Sequence, residues 1–409
     1  MGVIIFDILV IILILIQYNR EKNWINMISV LTAPYALFAT LNNFLFTKFG
    51  FYEISEKTFI MLGCSFVIFF VGGFAFNANI QRQHEEYNSH ILEGYNLKNM
   101  ICMLYFIAVC GVIKLVLAVL SGAFSMEALS GTEGLMGGGI VGHLLLVSYS
   151  IVPIIFLAFL EEKKISYLIP ILLIAAITFA SLIKNNIIGL VISIFLFVTR
   201  YKKSVVKKAV IICLCVVVTA FFGNYFLTFF IHKSNVASTF YTNQLFVYCS
   251  GSMINDNLIF TKGIRVDTDF IYKLMTALLG LPNMFITFIY GSPAFPFESL
   301  SEMPVGNVYG QTSNVVDSFG YFYPSKGDFC DLMNYGMFVF IVGFVFSYIY
   351  YKSSFVKKGF NVFICNFMTY FVAFSFFGTF YILSAPWEIL IYSLIVPNMF
   401  YKLRESKTI

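Results

Sequence analysis

The chain has 409 residues, of which 59% are hydrophobic, 19% aromatic and only 11% charged, with a mean hydropathy of +0.84. A soluble domain carries about 25% charged residues, so the composition excludes an ordinary soluble protein and implies an all-α polytopic membrane protein. The net charge of +5 is spread as short Lys/Arg clusters between apolar runs, which is a topology pattern and not a surface for nucleic acid.

Residues 3–16 form the first apolar run, with no basic stretch before it and no small-residue cleavage site after it; Arg20 and Lys22 follow instead. A cleaved signal peptide has the opposite charge order, so a retained span with its N-terminus outside is expected. A crossing helix needs about 20 mainly apolar residues. On that measure spans fall near 2–18, 24–46, 58–77, 99–121, 140–160, 165–182, 186–199, 209–231, 332–351, 360–383 and 386–401, about eleven in all. Residues 1–231 then form a first bundle of about eight spans. Residues 232–331 form one large loop, and 332–409 the last spans and tail, all within a single membrane domain.

The connections alternate in charge. One set holds Arg20/Lys22, Arg82/Lys98, Lys163/Lys164, then Arg200, Lys202, Lys203, Lys207 and Lys208; it continues with Lys352, Lys357, Lys358 and the tail Lys402, Arg404, Lys407. The positive-inside rule puts this set, and the C-terminus, in the cytoplasm and the 232–331 interval outside. Residues 270–291 are long and apolar enough to cross, but crossing alone would move Lys352, Lys357 and Lys358 outside. They read instead as a surface-lying or re-entrant segment, begun at Asp267 and Asp269 and broken at Pro282. Phe270, Ile271, Leu274, Met275, Leu278 and Leu279 share one helical face in it.

The eight cysteines have no metal spacing and lie mostly in apolar runs, as packing residues do. Cys249 and Cys330, both in the long interval, are a possible pair in an oxidising space.

Several residues have the chemistry to do more than pack. Lys184, in Ile183-Lys184-Asn185-Asn186, either snorkels to the headgroups or contacts a lipid-linked phosphate, with Asn185 and Asn186 adding donors. Arg265, preceded by Lys262, is the only arginine of the external segments; its fork suits a diphosphate, and equally a salt bridge to Asp267 or Asp269. Lys114 and His143 are ionisable groups within apolar runs, where such groups face a cavity or a partner. His143 follows the glycine-rich stretch 131–142 and is either a hydrogen-bonded core histidine or a base. Asp7 is expected near the outer end of the first span, solvated. Tyr248, Gly251 and Asp256 lie in one polar stretch, with Asp256 either a general base or a turn residue. Asn307, Tyr309, Gln311, Thr312, Asn314 and Asp317 form a polar run flanked by aromatics, a mixture that suits carbohydrate or an ordered loop. There is no paired-aspartate metal motif, no His/Cys cluster and no nucleotide-binding loop, so no metal and no cofactor are expected.

The architecture resembles the Wzy-type oligosaccharide repeat-unit polymerases (O-antigen or capsule polymerases), with about eleven spans, a tight polar turn at Lys184 and one dominant late external loop. Tyr248, Gly251 and Asp256 resemble that family's motif in the large loop. Asn314-Val315, then Tyr321-Phe322-Tyr323, Asp328, Gly336 and Gly343, resemble its return into the next span, with Asp331 competing for the place of Asp328. The resemblance implies a GT-C-like membrane glycosyltransferase of the bacterial cytoplasmic membrane. Its partners would be undecaprenyl-diphosphate-linked oligosaccharides, membrane lipids and a chain-length regulator. It assigns the diphosphate to Arg265, Lys184, Lys262 and Lys114. The base or hydroxyl-orienting role goes to Asp256 and His143, with Asp317 behind them, and the sugars to Tyr248, Asn307, Tyr309, Asn314 and Tyr323. A lipid-linked oligosaccharide flippase, and a ligase-like transferase to another acceptor, are the competing expectations.

Overall fold

Ten of the expected apolar runs fold as helices, and the described part of the polar interval between them contains helices as well as a short hairpin. A computed structural model describes residues 1–77, 92–121, 139–180, 184–232, 238–262, 270–296, 302–308, 311–324, 328–354 and 360–401. The first helices are α1 (Gly2–Glu21), α2 (Met27–Phe44), α3 (Glu56–Asn77), α4 (Leu97–Leu120), α5 (Gly139–Glu162), α6 (Ile165–Ala180), α7 (Lys184–Tyr201) and α8 (Val206–His232). Next come α9 (Ser238–Lys262), α10 (Phe270–Leu278), α11 (Gly280–Tyr290), a two-residue hairpin of β1 (Met303–Pro304) with β2 (Thr312–Ser313), and α12 (Ser318–Phe322). The last are α13 (Phe329–Ser354), α14 (Phe360–Phe367) and α15 (Ser384–Met399). Six of these are long and apolar enough to cross a membrane: Gly2–Glu21, Glu56–Phe74, Leu97–Leu120, Gly139–Glu162, Val206–Gly223 and Phe329–Tyr351. The bent α10–α11 pair would make a seventh. The chain is thus a helical protein with the build of a polytopic membrane protein.

Residues 360–383 do not form the single span expected of them. After α14 the backbone widens to a π-turn over Met368–Val372, tightens to 3-10 geometry over Ala373–Phe376, and turns again at Phe380–Ile382. Irregular backbone of this kind needs protein cover, and residues 361–362 and 364–375 are buried. The break in 270–291 is also displaced. The chain bends by 74° between α10 and α11, ahead of Pro282, which lies in the first turn of α11 where its missing N–H is not needed.

The chain divides into two compact units. The first comprises Met1–Glu85, Ala237–Phe355 and Tyr370–Trp387. At its centre is α9, whose residues 250–258 are buried on every side. That stretch carries five polar side chains, Ser250, Ser252, Asn255, Asp256 and Asn257, so it survives burial only by finding partners. Ser252 donates to the Phe376 carbonyl, Asn255 to the carbonyls of Ser313 (3.1 Å) and Val315 (2.8 Å), and Asn257 to that of Glu53 (3.3 Å). α3 and α13 run against each other and approach backbone to backbone at their glycines. A Cβ on Gly72 would overlap the Phe340 carbonyl, one on Gly73 the Ser347 hydroxyl, and one on Gly343 the Phe69 carbonyl. Small residues permit this approach, and dispersion then holds the pair.

The second unit comprises Glu86–Val236, Val356–Thr369 and Glu388–Ile409. Its central helix is α5, buried from 147 through 155. Asn366 ties three helices to it: it accepts from Ser193 (2.5 Å) and donates to Ser393 (2.6 Å) and to the Tyr149 carbonyl (3.3 Å). The Tyr149 hydroxyl donates to the Asn186 carbonyl (2.5 Å). Lys184, Asn185 and Asn186 are therefore the first turn of α7. All eight cysteines are free thiols, including Cys249 on α9 and Cys330 on α13.

The α3–α13 contact separates two glycines of one helix. Gly343→Ala should cost about 1–3 kcal/mol through forced separation of the helices. Gly336→Ala, whose new methyl would meet only Ile68 at 3.8 Å, should be neutral or slightly stabilising. Thermal unfolding in detergent checks the difference; equal midpoints for the two variants would remove the close approach as a source of stability.

Candidate functional site

The two aspartates singled out in the polar interval meet in the first unit. Asp317 ends an extended segment and caps α12: its Oδ1 accepts from the N–H groups of Phe319 and Gly320, both at 2.7 Å. Asp256 comes from the buried turn of α9, and both residues are 0% exposed. Gly320 leaves the space between them, since a Cβ there would fall on the Asp256 carboxyl oxygen.

Two carboxylates in this contact have no donor between them. Both oxygens of Asp256, and Oδ2 of Asp317, lack any partner as long as both groups are ionised. One proton removes the conflict by turning Asp256 into a donor toward Asp317. Burial first, and the adjacent Asp317 charge second, push the Asp256 carboxyl well above the ordinary carboxylate range. Burial raises Asp317 as well, but it is opposed by the neighbouring Asp256 and by the two backbone N–H groups. Burial and mutual repulsion thus favour one shared proton and one negative charge on the pair, and the two N–H groups aimed at Asp317 favour the charge there.

Aromatic and polar groups enclose the pair. Tyr35 of α2, fully buried, donates to the Ser375 carbonyl (2.8 Å) and packs on Phe319. Tyr335 of α13 shares a hydrogen bond with Ser65 (2.8 Å). Tyr323, half-buried, meets Phe260 and Tyr335 edge to face at 4.4 and 5.3 Å. Tyr248 stacks on Phe377 at 5.2 Å between ring centroids. Gly251 lets Ser313 of β2 approach α9, with the Ser313 side chain 3.1 Å from where a Cβ would stand. The motif around Tyr248, Gly251 and Asp256 thus packs one face of α9 against the hairpin and Phe377, and hands its aspartate to Asp317.

Other expected residues land elsewhere. His143 is in the second unit, where its Nδ1 pairs with Glu388 at 2.6 Å. Glu388 is 7% exposed and also accepts from Tyr392 at 3.5 Å. A neutral imidazole that donates Nδ1–H to this carboxylate leaves Nε2 of the half-exposed ring as its acceptor. Lys114, half-buried on α4, belongs to the same unit. Asn307, in the hairpin loop, and Asn314, directly after β2, are exposed. Gln311 between them faces inward, donating to the Phe49 carbonyl (2.8 Å) and Asn243 (3.3 Å). Its role is to fasten the hairpin, so the polar run is partly structural. Asp7 is half-buried and accepts from Thr40 (2.6 Å), contrary to the solvated place expected for it. Asp328 is exposed and Asp331 lies in the first turn of α13. Arg265, Tyr309, Asp267, Asp269 and the side chains of Lys184 and Lys262 lie outside the described residues.

Sequence reasoning missed two charged groups, Glu388 and Lys273. Each is an ionisable side chain inside an apolar run, and that is the signal that could have found them. Lys273, on α10, is 5% exposed and stands over the Tyr321 ring at 5.4 Å.

The shared proton has a testable sign. Because the folded-state pKa of Asp256 is raised, the pair's contribution is fully present below the ordinary carboxylate pKa. It is lost as pH rises through the folded value. The wild-type unfolding midpoint should fall with rising pH, whereas Asp256→Asn, with a permanent donor, should show less of that fall. Asp317→Ala, which removes the acceptor of both N–H groups, should be destabilised at every pH by about 1 kcal/mol or more. The same pH dependence in wild type and Asp256→Asn would rule the shared proton out.

Compared with family models, curated proteins and solved structures, the chain matches none.

Proposed function

We propose that the chain is a membrane glycosyltransferase. In this reading it joins lipid-diphosphate-linked oligosaccharide repeat units into a longer polysaccharide on the outer face of a bacterial cytoplasmic membrane. The observation that carries it is the buried contact of Asp256 with Asp317. Both residues come from the long polar interval, and both belong to the segments that resemble the Wzy-type polymerases. The full topology of about eleven spans with cytoplasmic basic loops is part of the proposal.

The chemistry asks little of the protein beyond alignment, because both substrates are tethered to the membrane. An acceptor sugar hydroxyl attacks the donor's anomeric carbon. The new C–O bond forms as the bond to the lipid diphosphate breaks, and the hydroxyl proton passes to a base. A carboxylate pair holding one negative charge can take that proton. Its raised pKa moves it toward the operating pH, where a general base works best. The His143–Glu388 pair is a second such base, with Glu388 fixing the tautomer. Arg265, Lys184, Lys262 and Lys114 are the cations assigned to the leaving diphosphate. Tyr248, Tyr323, Asn307, Tyr309 and Asn314 are assigned to the sugars.

A flippase for lipid-linked oligosaccharide is favoured by one different feature, the broken backbone over 368–376 together with the bent α10–α11 pair. The two readings part in the host cell. Loss of a polymerase leaves single repeat units on the carrier lipid at the outer face, and loss of a flippase strands them at the inner face.

Arg265→Ala is expected to abolish lengthening and leave one-unit glycans, seen as loss of the ladder on a glycan gel; a wild-type ladder removes Arg265 from the mechanism. Purified protein given lipid-linked repeat units should build the ladder unaided, and failure to lengthen them overturns the polymerase reading.

A further inference from the structure

α10 is folded inside out for a soluble protein. Its buried face is Lys273, Thr276 and Ala277. Ile271 and Leu278 are exposed, and along α11 so are Phe285, Phe288, Ile289 and Tyr290. In a protein built to sit in a membrane, that outward face is covered by lipid, so the bent pair presents apolar side chains to acyl chains and turns a lysine inward.

Among the described residues the lysine has no anion to match it. A buried ammonium is stable when a carboxylate or phosphate offsets its desolvation. Lys273 has no ion pair and no hydrogen bond to an acid among the described residues, and desolvation acts on it unopposed by any charged neighbour. What it does have is the face of Tyr321, a weak partner by comparison. Tyr321 sits on α12, the short helix whose cap is Asp317, and α12 and the Phe380–Ile382 turn both pack against α10. The positive charge thus packs on the helix that Asp317 caps, on an element whose other side carries the exposed apolar side chains.

We infer that Lys273 is the cation of an anion site for the phosphate end of a membrane lipid, reached along the α10–α11 pair. This rests on the proposed function for its biological ligand, a lipid diphosphate, although the site's chemistry does not depend on glycan transfer. Lys273 joins the recognition of that group as a point charge held by packing, with Tyr321 orienting its stem.

Binding to the purified full-length protein in detergent tests the site, with farnesyl diphosphate, farnesol and inorganic pyrophosphate as probes. Farnesyl diphosphate should bind and farnesol should not compete with it. Lys273→Met should weaken farnesyl diphosphate by about tenfold or more, and Lys273→Arg should recover most of the loss. If pyrophosphate is weakened in parallel, the phosphate group alone is recognised; if it does not bind, the lipid is part of the ligand. Lys273→Gln serves as a second neutral variant where Lys273→Met does not fold. Unchanged affinity in either neutral variant, or no binding of farnesyl diphosphate to the wild type, overturns the inference. Lysine-dependent binding by a protein that builds no glycan ladder would leave the site standing and defeat the polymerase reading. A working ladder with lysine-independent binding would do the reverse.

Discussion

Two carboxyl groups pressed together away from water set the terms for the first unit. Ionised together they would repel across a medium of low dielectric, and neither could donate to the other. Neutral together they would leave the two N–H groups at the start of α12 with a weaker acceptor. A single proton shared between them answers both demands, and the surrounding residues favour that state. Asp317 takes the charge because the backbone points two donors at it. Asp256 favours the proton because, among the described residues, only Asp317 is there for it to bond with. Gly320 is a consequence of the same contact, since any side chain there would part the two groups.

That contact also accounts for an uncommon helix. α9 brings five polar side chains into the middle of the unit between 250 and 258. Burying that many polar groups is tolerated only with near-complete pairing. Asn255 and Asn257 contribute by donating their amide N–H groups to the backbone of the hairpin and of the approach to α3. The same bonds fix the height and rotation of α9, and so aim Asp256. A carboxyl group mounted this way is held by a rigid element, whereas an aspartate in a loop would lose much of its positioning to chain motion.

The spans were largely legible because length and hydropathy report on lipid directly. Ten of the expected runs correspond to helices, and their boundaries differ by a few residues where local chemistry intervenes, as at Asn26, whose side chain and that of Ser29 cap α2 reciprocally. What hydropathy could not convey is burial against protein. α9 is too polar to look like a span and too buried to behave as a loop. Residues 360–383 are apolar enough for a straight helix, but they break because tertiary cover lets irregular backbone persist. In α10 the pattern was read correctly and its direction was not evident: the apolar face identified by period faces outward in part, because lipid and not a protein core is its solvent.

The candidate site was legible to a similar depth, and for a related reason. Asp256 and Asp317 stood out as acids among amides and aromatic rings, but only the structure brings them into contact. Gln311 belonged to the same polar run and turned out to be a fastener. Lys273 and Glu388 were overlooked because a single charge inside an apolar run barely alters its hydropathy, although a lone ionisable group there is costly enough to need a purpose. For Glu388 the purpose is visible in the His143 bond. For Lys273 the described residues supply an aromatic face and no counter-charge. A methionine there would fill similar space without the desolvation penalty. A buried positive charge left without its partner is therefore best understood as half of an interaction, with the other half arriving from outside the chain.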